Sequence, residues 1–220
     1  MKHPSTKMLF AYWTRQRGNR PAPDRADIDP AEIRHALGDT VMLAADFVDQ
    51  LRFRLAGTRV CALFGREIKG EQFSALWSKD SAAKIDELMS IVIDEHVSAV
   101  AGLTGRTADG ETIDLEMLLL PLAHTGHARI RAIGVLAPLS PPYWLGDKPI
   151  VDLALGTLRH VGGDADLTNH RRLTSLVPDQ PAETAPPVVP QIEPSVEDVR
   201  VRHGFVVYSG GRSPPGGRSG

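Results

Sequence analysis

The chain has 220 residues, 42% hydrophobic and 24% charged, with a formal net charge of −2. This is an ordinary globular composition, long enough for one domain with extensions or two small domains, and it gives no general reason to expect binding to nucleic acid or a bulk anionic membrane. The single cysteine excludes an internal disulfide framework and a Cys-rich zinc site. Neither a signal peptide nor a run of roughly 18 apolar residues is visible, so a cytoplasmic location without a membrane span is the expectation.

Ser5 is placed to cap a first helix in which Met8, Leu9, Tyr12 and Trp13 form one apolar stripe, with Gly18 as its stop. A short helix is marginal alone in water, so its stripe must pack against the chain's own sheet or a second copy. A homodimer with Met8, Leu9, Tyr12 and Trp13 at a two-fold interface is the preferred reading. In DPAEIRHALG, Asp29 as cap, Pro30 at the first helical position, Glu32 three residues past the cap and Gly38 at the end predict a second helix.

TVMLAADF (40–47) and LRFRLAG (51–57) read as strands, and VDQ between them is short enough for a hairpin. In the second strand Leu51, Phe53 and Leu55 oppose Arg52 and Arg54, the pattern of a half-buried strand. TRVCALFG predicts one or two helical turns from a Thr58 cap to a Gly65 stop, and REIKGEQFSALW mixes turns with short helix. Residues 80–97 predict a longer helix with Ile85, Leu88, Met89, Val92 and His96 on one face. The stretch 104–122 is a hairpin turning at Asp109-Gly110. Beyond the turn Ile113, Leu115 and Met117 alternate with Asp114 and Glu116, which places the two acids on a solvated face. ARIRAIGVLAPL (128–139) supplies a fifth strand.

Composition changes after that point, since twelve of the 17 prolines lie from Pro138 onward. Residues 178–194 have little to bury and read as a linker. The tail is largely irregular, with a short β-prone run at 203–208 that could add a strand to this domain or to a partner's sheet edge. The expected organisation is a helix and linker (1–22), a domain (23–140), an extension (141–177) and a Pro-rich linker and tail (178–220). Two early strands and three late ones must share a sheet to bury their apolar faces. That predicts an α+β fold, a five-stranded antiparallel sheet with helices on one face and room for a small ligand behind them.

The segment GRTADGETIDLEMLLLPL resembles the G-R-x-x-D-G-x hairpin common in PAS domains, and the element order is similar to that fold. More specifically, YWTRQRG, DPAEIRHALG, RFRLAGTRVCALFGREIKGEQFSALW and RHGFVVYSGG resemble a family of bacterial PAS-like proteins, usually one such domain with a C-terminal extension. The resemblance implies action by binding a small molecule or cofactor, by dimerising, or by docking another signalling protein.

No G-x-S-x-G elbow, P-loop, dinucleotide fingerprint or His-Glu-x-x-His motif is present, and no kinase, cyclase or helix-turn-helix segment is recognisable. His124 and His127 lack a third ligand nearby, so no metal site is predicted. His96 on the apolar face of the long helix raises the comparison with haem-binding PAS domains. Cys61 raises that with flavin-binding ones, but without their Asn-Cys-Arg-Phe pattern it reads as a small buried hydrophobe. Cys61, Phe64, Trp77, Met89 and His96 are the candidate lining of a ligand cavity. The reading is a non-enzymatic sensory or regulatory module acting by protein–protein contact, with or without a small ligand of unspecified identity. The alternative is a haem- or flavin-binding redox or gas sensor. No cofactor is predicted, and the signalling partner is not identified.

Overall fold

The computed structural model describes residues 1–45, 50–123, 130–161, 199–202 and 205–208. The first helix, α1 (Pro4–Arg17), starts two residues earlier than its sequence signals suggest. His3 is the cap, its Nδ1 accepting from Ser5 N, and Gly18 stops the helix at a φ of 55°. Ser5 is therefore not the cap, and its hydroxyl donates instead to the Asp39 carboxylate. Residues 30–36 form consecutive turns rather than the predicted helix, leading into a 3-10 turn at Leu37–Asp39. The cap chemistry is present, since Asp29 accepts from Ala31 N, but the bonds that follow (Ile33 N to Pro30 O, Ala36 N to Ile33 O) are of the tighter three-residue kind. Burying Ile33 and Ala36 on the way to the first strand decides this path over local helix signals.

Six strands build the sheet: β1 (Thr40–Ala45), β2 (Leu51–Ala56), β3 (Ala99–Thr107), β4 (Thr112–Pro121), β5 (Ile130–Pro138) and β6 (Ile150–His160). Their spatial order is β2-β1-β5-β4-β3-β6, with every neighbouring pair antiparallel. At the β3–β4 turn Gly110 takes a φ of 87°, as an Asp-Gly hairpin requires. The sixth strand, Ile150–His160, goes beyond the five expected strands and joins the same sheet beside β3. Its alternation is interrupted at Gly156, where the register against β3 slips by one residue. That slip lets Leu153 and Leu158, five positions apart, both enter the same core, a spacing that an unbroken strand forbids.

The sheet carries a core on each face. The inner face packs against α2 (Thr58–Phe64), a 3-10 turn (Phe73–Leu76) and α3 (Lys79–Asp94), through Val60, Leu63, Phe64, Ile85, Leu88 and Val92. Gly57 caps α2 and Gly65 ends it in the left-handed region. The outer face, with Met42, Val100, Leu118, Leu120, Ile133 and Val135, is covered by Leu9, Tyr12 and Trp13 of α1 together with Ala22, Ile28 and Ile33. Helices therefore cover one face as expected, and the N-terminal helix covers the other.

Residues Gln180–Gly220 form a second unit, in which β7 (Val199–Arg202) pairs antiparallel with β8 (Phe205–Tyr208). The linker reading for 178–194 falls outside the described residues. Among the described residues, no helix is long and apolar enough to cross a membrane.

Candidate functional site: a cleft beside the long helix

A cleft of about 740 Å³ opens between the C-terminal half of α3 and the ends of β1, β2, β4 and β5. From α3 it takes Asp86, Met89, Ser90, Ile93 and Asp94, whose spacing of three and four residues places them on one side of the helix. Met89 and Leu122 form a buried apolar floor, while Asp86, Ser90 and Asp94 are exposed polar groups around it. Asp86 stays exposed, but partial desolvation against this wall pushes its carboxyl above the ordinary range.

His96 also lines the cleft, but not from the helix. The helix ends at Asp94 with Glu95 as its C-cap, and His96 follows in the left-handed region at a φ of 55°. This is the position where helices commonly place a glycine, and a histidine there carries some backbone strain. His96 is therefore an exposed residue of the cleft rather than a member of the apolar helix face.

The other candidate lining residues are elsewhere. Phe64 and Trp77 belong to the inner core, where Trp77 stands edge-on to Phe73 at 5.8 Å and Phe73 edge-on to Phe53 at 5.5 Å. Cys61 is half-buried on α2, its Sγ 3.6 Å from Glu67 Oε1, and it does not line the cleft. Burial pushes its thiol up, and the Glu67 carboxylate adds to that beyond the opposing Ile68 backbone contact. This is the wrong direction for a thiolate nucleophile. His124 and His127 lie outside the described residues. Among the described residues, no group of three or more His, Cys, Asp or Glu side chains could hold a metal ion.

Two buried carboxylates that the sequence did not expose hold α1 in place. Glu116 is 3% exposed and accepts from Lys2 N at 2.7 Å and His3 N at 2.9 Å. Burial pushes its carboxyl up, and the His3 and Lys2 backbone donors more than reverse this, holding it below the usual range. The solvated-face expectation holds for the exposed Asp114 and fails for Glu116, because α1 begins above it. Asp39 is the second: burial pushes its carboxyl up, while Arg59 and Ser5 bring it below the ordinary range. The apolar stripe of α1 is likewise covered from within. Leu9, Tyr12 and Trp13 are buried, with Trp13 Nε1 donating to Pro121 O at 2.8 Å and Tyr12 Oη donating to Asp27 O at 2.9 Å. Met8, 36% exposed, is what remains of the stripe for a second copy to meet.

The sequence profile described as PAS domain matches residues 1–137. Among solved structures, the chain is similar to the dark structure of the blue-light photoreceptor Aureochrome1 LOV, at 18% identity over 50% of this chain and 82% of that one, with a TM-score of 0.39. It is similar to the LOV protein of Rhodobacter sphaeroides at 16% identity, covering 53% of this chain and 71% of that one, with a TM-score of 0.39. A third likeness is to the PAS domain, in complex with ethanol, of a LuxR-family transcriptional regulator from Burkholderia thailandensis. There the identity is 21%, over 52% of this chain and all (100%) of that one, with a TM-score of 0.38. No curated protein matches the chain.

Proposed function

The chain belongs to the PAS-domain family of sensory and regulatory modules, and from that premise we propose that it signals through contact with a protein partner, gated by a small ligand in the cleft beside α3. It carries out no reaction of its own on this reading. The observation that supports it most is the cleft itself, which joins an apolar floor at Met89 and Leu122 to polar groups at Asp86, Ser90 and Asp94. Such a mixture suits a compact ligand with one apolar portion and one or more hydrogen-bonding groups. The partner includes a second copy of the chain, for which Met8 is the apolar residue that α1 still offers.

A thermal-shift screen of the full chain against a library of small polar metabolites tests the ligand arm, with Ser90→Trp as the variant that fills the cleft. The expected result is a compound that raises the melting temperature of the wild type and not of Ser90→Trp. Compounds that act equally on both proteins would count against the cleft.

A further inference from the structure

Asp39 stands where three elements meet. It is 1% exposed, and its carboxylate accepts from Ser5 Oγ on α1 at 2.5 Å. On its other side it accepts from Arg59 Nε at 2.6 Å and Arg59 Nη2 at 2.7 Å, both from the first turn of α2. The two helices serve opposite faces of the sheet: α2 sends Val60 and Leu63 into the inner core, and α1 sends Leu9 and Trp13 into the outer one. One buried carboxylate thus joins the layers on either side of the sheet.

The backbone is shaped for this contact independently of the hydrogen bonds. At Gly57, immediately before α2, a Cβ would lie 2.1 Å from Leu37 O and 2.3 Å from Gly38 O, so the corner can approach the 37–39 turn only as glycine. At Gly38 a Cβ would lie 2.7 Å from Arg59 Cζ, in the space the guanidinium occupies as it reaches Asp39. Arg59 also donates from Nη2 to His35 O at 3.1 Å, which fixes its fork over the same turn.

A carboxylate taken out of water must keep its charge-assisted partners or regain water. The Arg59 side chain is 57% exposed, so its loss lets water reach Asp39, where it competes with Ser5 Oγ for the carboxylate and loosens the start of α1. We propose that Asp39 couples the two faces of the domain. In this device α1 stays docked on the outer face while α2 keeps Arg59 on Asp39, and withdrawal of Arg59 frees the first turns of α1. The lift uncovers apolar outer-face residues of the cluster that α1 covers, such as Leu118 and Val135. A movement of α2 on the inner side is thereby converted into an exposed apolar surface on the outer side.

Hydrogen exchange of the full chain, read by mass spectrometry over residues 4–17, tests the coupling in two variants that remove Arg59 from Asp39 differently. Arg59→Ala deletes the guanidinium, whereas Gly38→Ala displaces it with both charges intact. Both are expected to speed exchange in α1 by about ten-fold or more while β4 and α3 stay within about two-fold of wild type. Arg59→Lys should fall between Arg59→Ala and wild type, and Arg66→Ala, which breaks the ion pair with Glu71 just past α2, should leave α1 protected. Unchanged α1 protection in Gly38→Ala would overturn the coupling even if Arg59→Ala fails to fold. So would an increase shared equally by α1, β4 and α3, because that would mark general destabilisation.

Discussion

Replacing Glu116 by Gln isolates what a buried carboxylate contributes to holding α1 on the sheet. The side chain keeps its size, but an amide offers one acceptor oxygen and turns a donor toward the second backbone N–H, so one of the two bonds at 2.7 and 2.9 Å is lost. A hydrogen bond to a charged acceptor contributes about 1.5–3 kcal/mol, and a site this buried gives little water in exchange, so the expected loss is about 2 kcal/mol. For a chain of this length that corresponds to a fall in melting temperature of about 4–8 °C at neutral pH, measurable by calorimetry. The pH dependence has a definite sign. The folded carboxyl lies below its ordinary range, so its contribution is complete above the unfolded value and is lost as pH falls through the folded one. Protonated Glu then resembles Gln, and the gap between wild type and variant should narrow below about pH 5. A melting temperature within about 1 °C of wild type at neutral pH, or a gap that does not narrow in acid, would refute the reasoning.

Gly110→Val places a β-branched residue at a φ of 87° with nothing within 4 Å of its Cβ, so the cost is conformational, about 1–3 kcal/mol by denaturant titration, and an unchanged midpoint would count against the turn. His96→Gly relieves a left-handed residue at the end of α3, so the melting temperature should hold or rise; a clear fall would mean that the ring makes contacts worth more than the strain. Deleting residues 1–18 uncovers Leu118, Leu120 and Val135, so light scattering should show a higher association state or aggregation, and a well-folded monomer would contradict the capping role of α1.

Elements with strong local signals were legible from the residues alone. The Gly65 stop, the periodic stripe of α3 and the Asp109-Gly110 turn each act within a few positions. The expected alternation of Leu51, Phe53 and Leu55 fails at Leu55, which is 38% exposed because a bulge opposite Met42 and Leu43 shifts the register there. DPAEIRHALG carries equally good local signals, yet its path is set by where Ile33 and Ala36 must be buried. β6 hid behind the slip at Gly156, which breaks the alternation a strand is recognised by. For Glu116 the signal was available: Leu118 and Leu120 continue the same face of β4, and two leucines argue that this face is covered. The cover for α1's stripe was not legible, because Trp13 finds its partner at Pro121, 108 positions away. At the cleft, Met89 and His96 were identified. Asp86, Ser90 and Asp94 repeat every four residues, which in sequence looks the same as a solvated helix face.

Native mass spectrometry of the full chain purified from its own host tests the ligand-gated reading most directly. The account predicts that the wild type carries a small molecule in a one-to-one, non-covalent complex and that Ser90→Trp, prepared in the same way, does not. A bare polypeptide mass for the wild type, or an adduct retained equally by Ser90→Trp, would contradict it.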